Sequence, residues 1–328
     1  MRMYPLNNAM ICVVKFELKM SRLTKRLLKL LLVIILPLNV GWVAACINGY
    51  DEEISELLRY SSFEKTKVIS NKSRLEELYK QSPTIEVAND LAVVHMVLND
   101  NQKAIDLLKE IEKQRPGLVK TATNLGTAYE LLGNNTESLV WIKEGINRDP
   151  SDHQGTEWLH VKILEAKLTI AKDPLWLKKN HVMGISFGTN VKPSKPDNLL
   201  VDHLGNTHTL QQAGAALQLQ LFERLKFVSE PNEVVGDLFL SLGDLTRLGL
   251  RHIDQSEDEN LRAAKILYES ALQFNPNAEI IQKRLSSIDF LLAEALSYTP
   301  LALFGVFLLV SVALFVFLYR KFKRNRKK

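Results

Sequence analysis

Along the middle of the chain, apolar residues recur at the spacing of one helix face, and a longer period is laid over that recurrence. Pro116 and Pro150 stand 34 residues apart. With each proline placed near the close of a unit, the stretches 85–118 and 119–152 align. Leu91, Ala92 and His95 in the first occupy the places of Leu125, Gly126 and Tyr129 in the second. A second helix follows in each unit, marked by Ala104, Leu108 and Ile111 in one and by Ile142 and Gly145 in the other. The physical reading is a pair of helices per unit. A small residue after the leucine lets the two approach closely, a bulky residue fills the groove to the next unit, and proline ends the second helix.

This set of residues at this period resembles the tetratricopeptide repeat family. A third copy carries Leu242 and Gly243 on a first helix over Val235–Leu250, and Ala264, Tyr268, Ala271 and Pro276 on a second. That second helix arrives nine residues late, with Asp254–Glu259 read as an inserted acidic turn. Residues 153–172 continue in phase as another first helix, with Leu159 and Ile163 facing inward. Residues 46–84 read as an N-terminal helical cap, 85–172 as the repeats, and 209–299 as a helical region closed by the stripe Ile280, Ile281, Leu285, Ile288, Leu291 and Leu292. Thr209 and Gln212 fit a capping box opening a helix to about Lys226. Between these regions, 173–208 is different. It contains Gly184, Gly188, Pro193 and Pro196, with β-like runs at His181–Phe187 and Leu199–Leu204, and reads as a small hairpin or an extended insertion.

The two ends follow other rules. In 20–46, Arg22, Lys25 and Arg26 precede an apolar run to Val43, and Ala44, Ala45 and Cys46 follow. A basic start, an apolar middle and small residues are the order of a secretory signal; an uncleaved anchor is the alternative. Val43–Cys46 also resembles a bacterial lipobox, with Val where Leu is usual, so Cys46 is a candidate for lipidation. Residues 1–19 have no clear pattern, and Met20 would begin a better-formed signal. At the other end, Leu301–Tyr319 holds one polar side chain of note, Ser311. At 1.5 Å per residue it would span roughly 28 Å, a hydrocarbon core's thickness. The basic tail 320–328 follows at once. Lys and Arg resist translocation, so both basic flanks belong in the cytoplasm and 47–299 outside it. The expected fold class is all-α: a tetratricopeptide-like helical-hairpin solenoid with a small β-hairpin or loop insertion and a C-terminal transmembrane helix. The expected location is a bacterial inner membrane with the main domain periplasmic.

Composition changes one part of that picture. The 328 residues carry a formal charge of +5, which alone would invite a nucleic-acid partner. Residues 1–46 supply +6 and 320–328 supply +7, leaving 28 basic against 36 acidic residues between them. The folded part is acidic, which removes the nucleic-acid argument. Two cysteines exclude a disulfide scaffold. No HExxH, CxxC pair, Walker loop or GxSxG occurs. His181, His203 and His208 do not share a helix face, so ordinary surface histidines are the expectation. Glu157, His160 and Glu165 read as a solvated helix face. No enzyme activity, cofactor or metal is expected.

Binding is the positive expectation. Relatives in the resembled family contact ligands from positions 2, 5, 9 and 12 of each repeat, on the concave face. Here the resemblance implies Glu86, Asn89, Val93 and Met96, then Lys120, Thr123, Thr127 and Glu130. Asn89 and Asn124 stand near the places of a carboxylate clamp that some members use, but its basic partners are missing. The expected role is an extracytoplasmic scaffold for other envelope proteins or peptides, held to the membrane by Leu301–Tyr319. The alternative is a ligand-sensing or enzyme-accessory protein using 175–230.

Overall fold

A computed structural model of the chain describes residues 47–57, 65–250 and 256–294. Cys46, the signal or anchor, the span Leu301–Tyr319 and the basic tail lie outside the described residues. Among the described residues, no helix is long and apolar enough to cross a membrane.

Eleven α-helices occur among the described residues. They are α1 (Glu52–Leu57), α2 (Lys65–Gln81), α3 (Ile85–Val97), α4 (Asn101–Gln114), α5 (Val119–Leu131), α6 (Asn135–Arg148), α7 (Glu157–Ile170), α8 (Leu210–Arg224), α9 (Glu233–Arg247), α10 (Glu257–Phe274) and α11 (279–294). From α2 to α7, each helix packs on the next in chain order, and α8, α9 and α10 continue the series. The result is a mostly helical, repeat-like solenoid with tight packing between neighbours. Starts are set locally. Thr84, Asn134, Thr209, Asn232 and Ser256 each accept a backbone N–H of the first turn, and Thr209 and Ser256 complete capping boxes with Gln212 and Glu259.

Two glycines make the close approaches possible. A methyl group at Gly126 would overlap the Ile142 side chain, and one at Gly243 would lie 2.6 Å from the Tyr268 ring. In both units a glycine on the first helix therefore receives a large side chain from the second. The N-terminal core gathers Leu91, Val94, Ala104, Leu108, Leu125 and Tyr129. A larger cluster runs from Leu159 and Ile163 on α7 through Leu217, Leu238 and Leu242 to Tyr268 and Ile288.

Two local expectations are corrected. The only strand pair among the described residues is β1 (Leu200–Val201) with β2 (Thr207–His208), antiparallel, with Leu200 opposite His208. His181–Phe187 is not a strand. Its backbone and side chains are taken up otherwise: Asp237 accepts the Val182 N–H, and Val182, Met183, Ile185 and Phe187 are buried in the large core. Of the expected acidic turn Asp254–Glu259, Asp254 and Gln255 lie outside the described residues, Ser256 is the cap of α10, and Glu257, Asp258 and Glu259 are its first turn. Negative charge there complements the unpaired N–H groups of a helix start.

Candidate functional site

The first helices α3 and α5 lie against one another, and the face they share is polar. Asn89, Asp90, Thr123 and Asn124 are all buried there. Polar groups removed from water need partners. Here the partners are the main chain of residues 48–51.

Asn124 carries the centre of the arrangement. Its Oδ1 accepts the Asn48 N–H at 2.8 Å, while its Nδ2 donates to the Asn48 carbonyl at 2.9 Å and to Asn89 Oδ1 at 2.9 Å. Asn89 Nδ2 donates to the same Asn48 carbonyl at 2.7 Å. One residue on, Lys120 Nζ donates to the Gly49 carbonyl at 2.8 Å and lies 3.9 Å from the centre of the Tyr50 ring. Asp90 then takes the Tyr50 and Asp51 N–H groups, one on each carboxylate oxygen, at 2.6 and 2.7 Å. Burial pushes the Asp90 carboxyl pKa up, against those two donated bonds, which pull it down.

Beyond Asn48 lies a cluster of charges. Asn48 Nδ2 lies 3.1 Å from Thr123 Oγ1 and 3.3 Å from His153 Nε2. His153 Nδ1 meets Glu157 at 3.0 Å, and the other oxygen of Glu157 meets His160 Nδ1 at 3.1 Å. His160 Nε2 and Lys167 Nζ each reach Glu130 at 2.6 Å, and Arg224 lies 3.2 Å from it. Burial opposes charge on Glu130, His153, Glu157 and His160, but the pairing outweighs it. Arg224, Lys167 and His160 hold Glu130 well below the carboxylate range, and His153 does the same for Glu157. Burial would lower His153, yet Glu157 foremost, then Asp152 and Glu223, raise it to about 9. A cavity of about 160 Å³ opens here, bordered by Ile47, Thr127, Glu130, His160, Arg224 and Phe227.

The residues expected to line the concave face separate into four groups. Asn89, Lys120 and Thr123 touch segment 48–51, and Thr127 and Glu130 border the cavity. Glu86 is exposed at the outer edge, where its charge adds to burial in raising the Tyr50 phenol pKa. Val93 and Met96 are corrected: both are fully buried in the N-terminal core and face no groove. Glu157 and His160 are corrected too, since both are buried in the charge cluster, whereas Glu165 pairs with Lys143 nearer the surface. Asp90, His153 and Arg224 had no reading as site residues, and 47–51, read as part of the helical cap 46–84, is corrected to irregular chain. One signal was available: Asp90 and Asn124 stand 34 residues apart at one repeat phase, each beside the apolar leucine that keys the helix.

The three histidines near the insertion are not convergent. His181 meets Asp237 at 2.7 Å, whereas His208 meets Asp202 at 3.0 Å and stacks on Trp158. Among the described residues no cluster of His, Cys, Asp or Glu is arranged to hold a metal ion. Comparison of the chain with protein-family models, curated proteins and solved structures finds no match in any of the three.

Proposed function

We propose that the protein is a tetratricopeptide-like scaffold, tethered by Leu301–Tyr319, that binds segments of other envelope proteins in the groove of α3 and α5 on the outer side of a bacterial inner membrane. One observation carries this reading. Asn89, Asp90, Lys120 and Asn124 are spent on main-chain N–H and carbonyl groups of a polypeptide segment and on one another. Every protein offers such groups, so a surface of this kind suits recognition of polypeptide chain. The 34-residue period and the glycine contacts at Gly126 and Gly243 support the family likeness. The apolar span and its basic flank support the tether. No catalytic role is proposed; the buried carboxylates are neutralised by fixed cations and serve to hold α5, α7 and α8 together.

A photocrosslinking side chain at Glu86, on the groove edge, tests the reading against one at Val140, exposed on α6. The scaffold reading expects adducts with envelope proteins from position 86 and few from position 140. Adducts from 140 alone would refute it. The alternative, ligand sensing through 175–230, has one observation in its favour: Glu223, Arg224, Phe227 and Val228 line the cavity. It expects a small solute to protect these residues from exchange in the absence of any protein partner.

A further inference from the structure

We propose that segment 47–51 is a tethered occupant of the peptide groove, a ligand mimic that a partner segment of similar chemistry displaces. The inference rests on the scaffold reading and names both the regulation of its site and the kind of peptide it takes.

The contacts themselves carry the argument. Three consecutive N–H or C=O positions, at Asn48, Gly49 and Tyr50, and the N–H of Asp51, are each met by a side chain of α3 or α5. Partners 39 to 76 residues away in sequence make those bonds. The segment adds no helix or strand to the fold: residues 47–51 are irregular. It is followed by α1, a six-residue helix that packs on α3. That helix is held by a fully buried side chain, Ile54, and by Arg74 of α2, which pairs with Asp51 and Glu53, and local opening is easiest where few apolar contacts must part. Only the side chains of Ile47 and Asn48 are sunk into the protein, Ile47 at the cavity and Asn48 against Thr123 and His153. Tyr50 lies over the surface with Lys120 on its ring.

These features define the exchanging ligand. It presents an aliphatic side chain, then an amide side chain, then a small residue. A Cβ at Gly49 would fall 2.9 Å from Ile54 of the occupant itself, whereas the groove's Asp90 Oδ1 would lie at an ordinary 3.5 Å, so glycine suits the tethered segment more than the groove demands it. An aromatic residue follows, within reach of Lys120. Because the occupant is covalently attached, it competes at an effective concentration of about millimolar. The unaltered protein therefore binds weakly until a partner brings several such contacts or raises its own local concentration.

The probe is a fluorescein-labelled peptide blocked at both ends and carrying residues 47–54, measured against the full chain in detergent. The opened variant Asn48→Pro with Tyr50→Pro removes two of the three donated N–H groups and alters no groove residue. We expect it to bind the peptide at least ~10-fold more tightly than the parent, and Asn124→Ala added to it to lose ~10-fold or more. In the unaltered chain, which avoids any question of folding, excess peptide should speed hydrogen exchange at the amides of Asn48, Tyr50 and Asp51. Equal peptide binding by a folded opened variant and the parent, or unchanged exchange at those amides, overturns the proposal. If Glu86 crosslinks a partner equally in both, the tethered occupant is refuted and the scaffold stands. Peptide binding with no crosslink refutes the scaffold instead.

Discussion

Two aspartates on first helices do similar work in different settings. In the N-terminal half, Asp90 accepts the N–H groups of Tyr50 and Asp51. In the C-terminal half, Asp237 accepts the Val182 N–H and the His181 ring. Each holds a stretch of irregular chain against the stack. What lies beside them differs. Around Asp237 the held chain sinks Val182, Met183, Ile185 and Phe187 into the large core. Arg284 of α11, itself buried, then pairs with Asp244 and donates to the carbonyls of Phe187 and Gly188. Around Asp90 the held chain meets asparagines, a threonine and a lysine. Apolar burial makes the first segment part of the fold. The second segment sinks one apolar side chain, Ile47, into the N-terminal core and is otherwise held by main-chain hydrogen bonds, which water or another peptide can supply; this is why we propose that it is a guest.

The sharpest way to break this contrast is to weaken each half in turn. Leu242 is fully buried in the large core, and Leu242→Ala should cost about 3–4 kcal/mol in chemical denaturation. It should leave amide exchange at Asn48 unchanged; faster exchange there would mean that the two halves are not independent. Next in size is the effect of pH. His153 is raised to about 9 from an unfolded value near 6.5, so its contribution is complete below about pH 6.5 and fades as pH rises towards 9. The expected loss is up to about 3 kcal/mol. His160 and His181 are also raised and act in the same direction, so His153→Gln should flatten the alkaline limb in part. Glu130 and Glu157 are lowered, so their contribution is lost at acid pH, below about 4.5. Asn124→Ala should cost about 2 kcal/mol by leaving Asn48 and Asn89 short of partners. Unlike Leu242→Ala, it should speed exchange at Asn48. The smallest effect is expected for Thr209→Ala, which removes the cap of α8 for about 1 kcal/mol and should not touch the groove.

Much of the stack was legible in the sequence, because its causes are local. Pro116 and Pro150 mark the period, Thr209 and Gln212 announce a helix start, and Gly126 and Gly243 sit where a neighbour must come close. The site was legible only in part, since its members come from distant stretches. Asn48 and Asn124 are 76 residues apart, and Glu130 and Arg224 are 94 apart. Repeat position alone misplaced Val93 and Met96. Their apolar character was the warning, since Thr127 and Glu130 hold the same phase on α5. Charged residues on a helix read as solvated, which is why Glu157 and His160 escaped notice: their partners arrive from α5 and from the turn before α7. The two-residue strands β1 and β2 are too short for alternation to reveal.

Recognition of main chain by α3 and α5 is tested most directly by changing the peptide one atom at a time. In the opened variant, methylating the peptide nitrogen that corresponds to Asn48 removes the hydrogen bond to Asn124 and keeps every side chain. Replacing the tyrosine that corresponds to Tyr50 by alanine does the reverse. Main-chain reading predicts a loss of ~10-fold or more for the first change and less than ~3-fold for the second. The opposite order, with the side chain decisive and the methyl group tolerated, would contradict it.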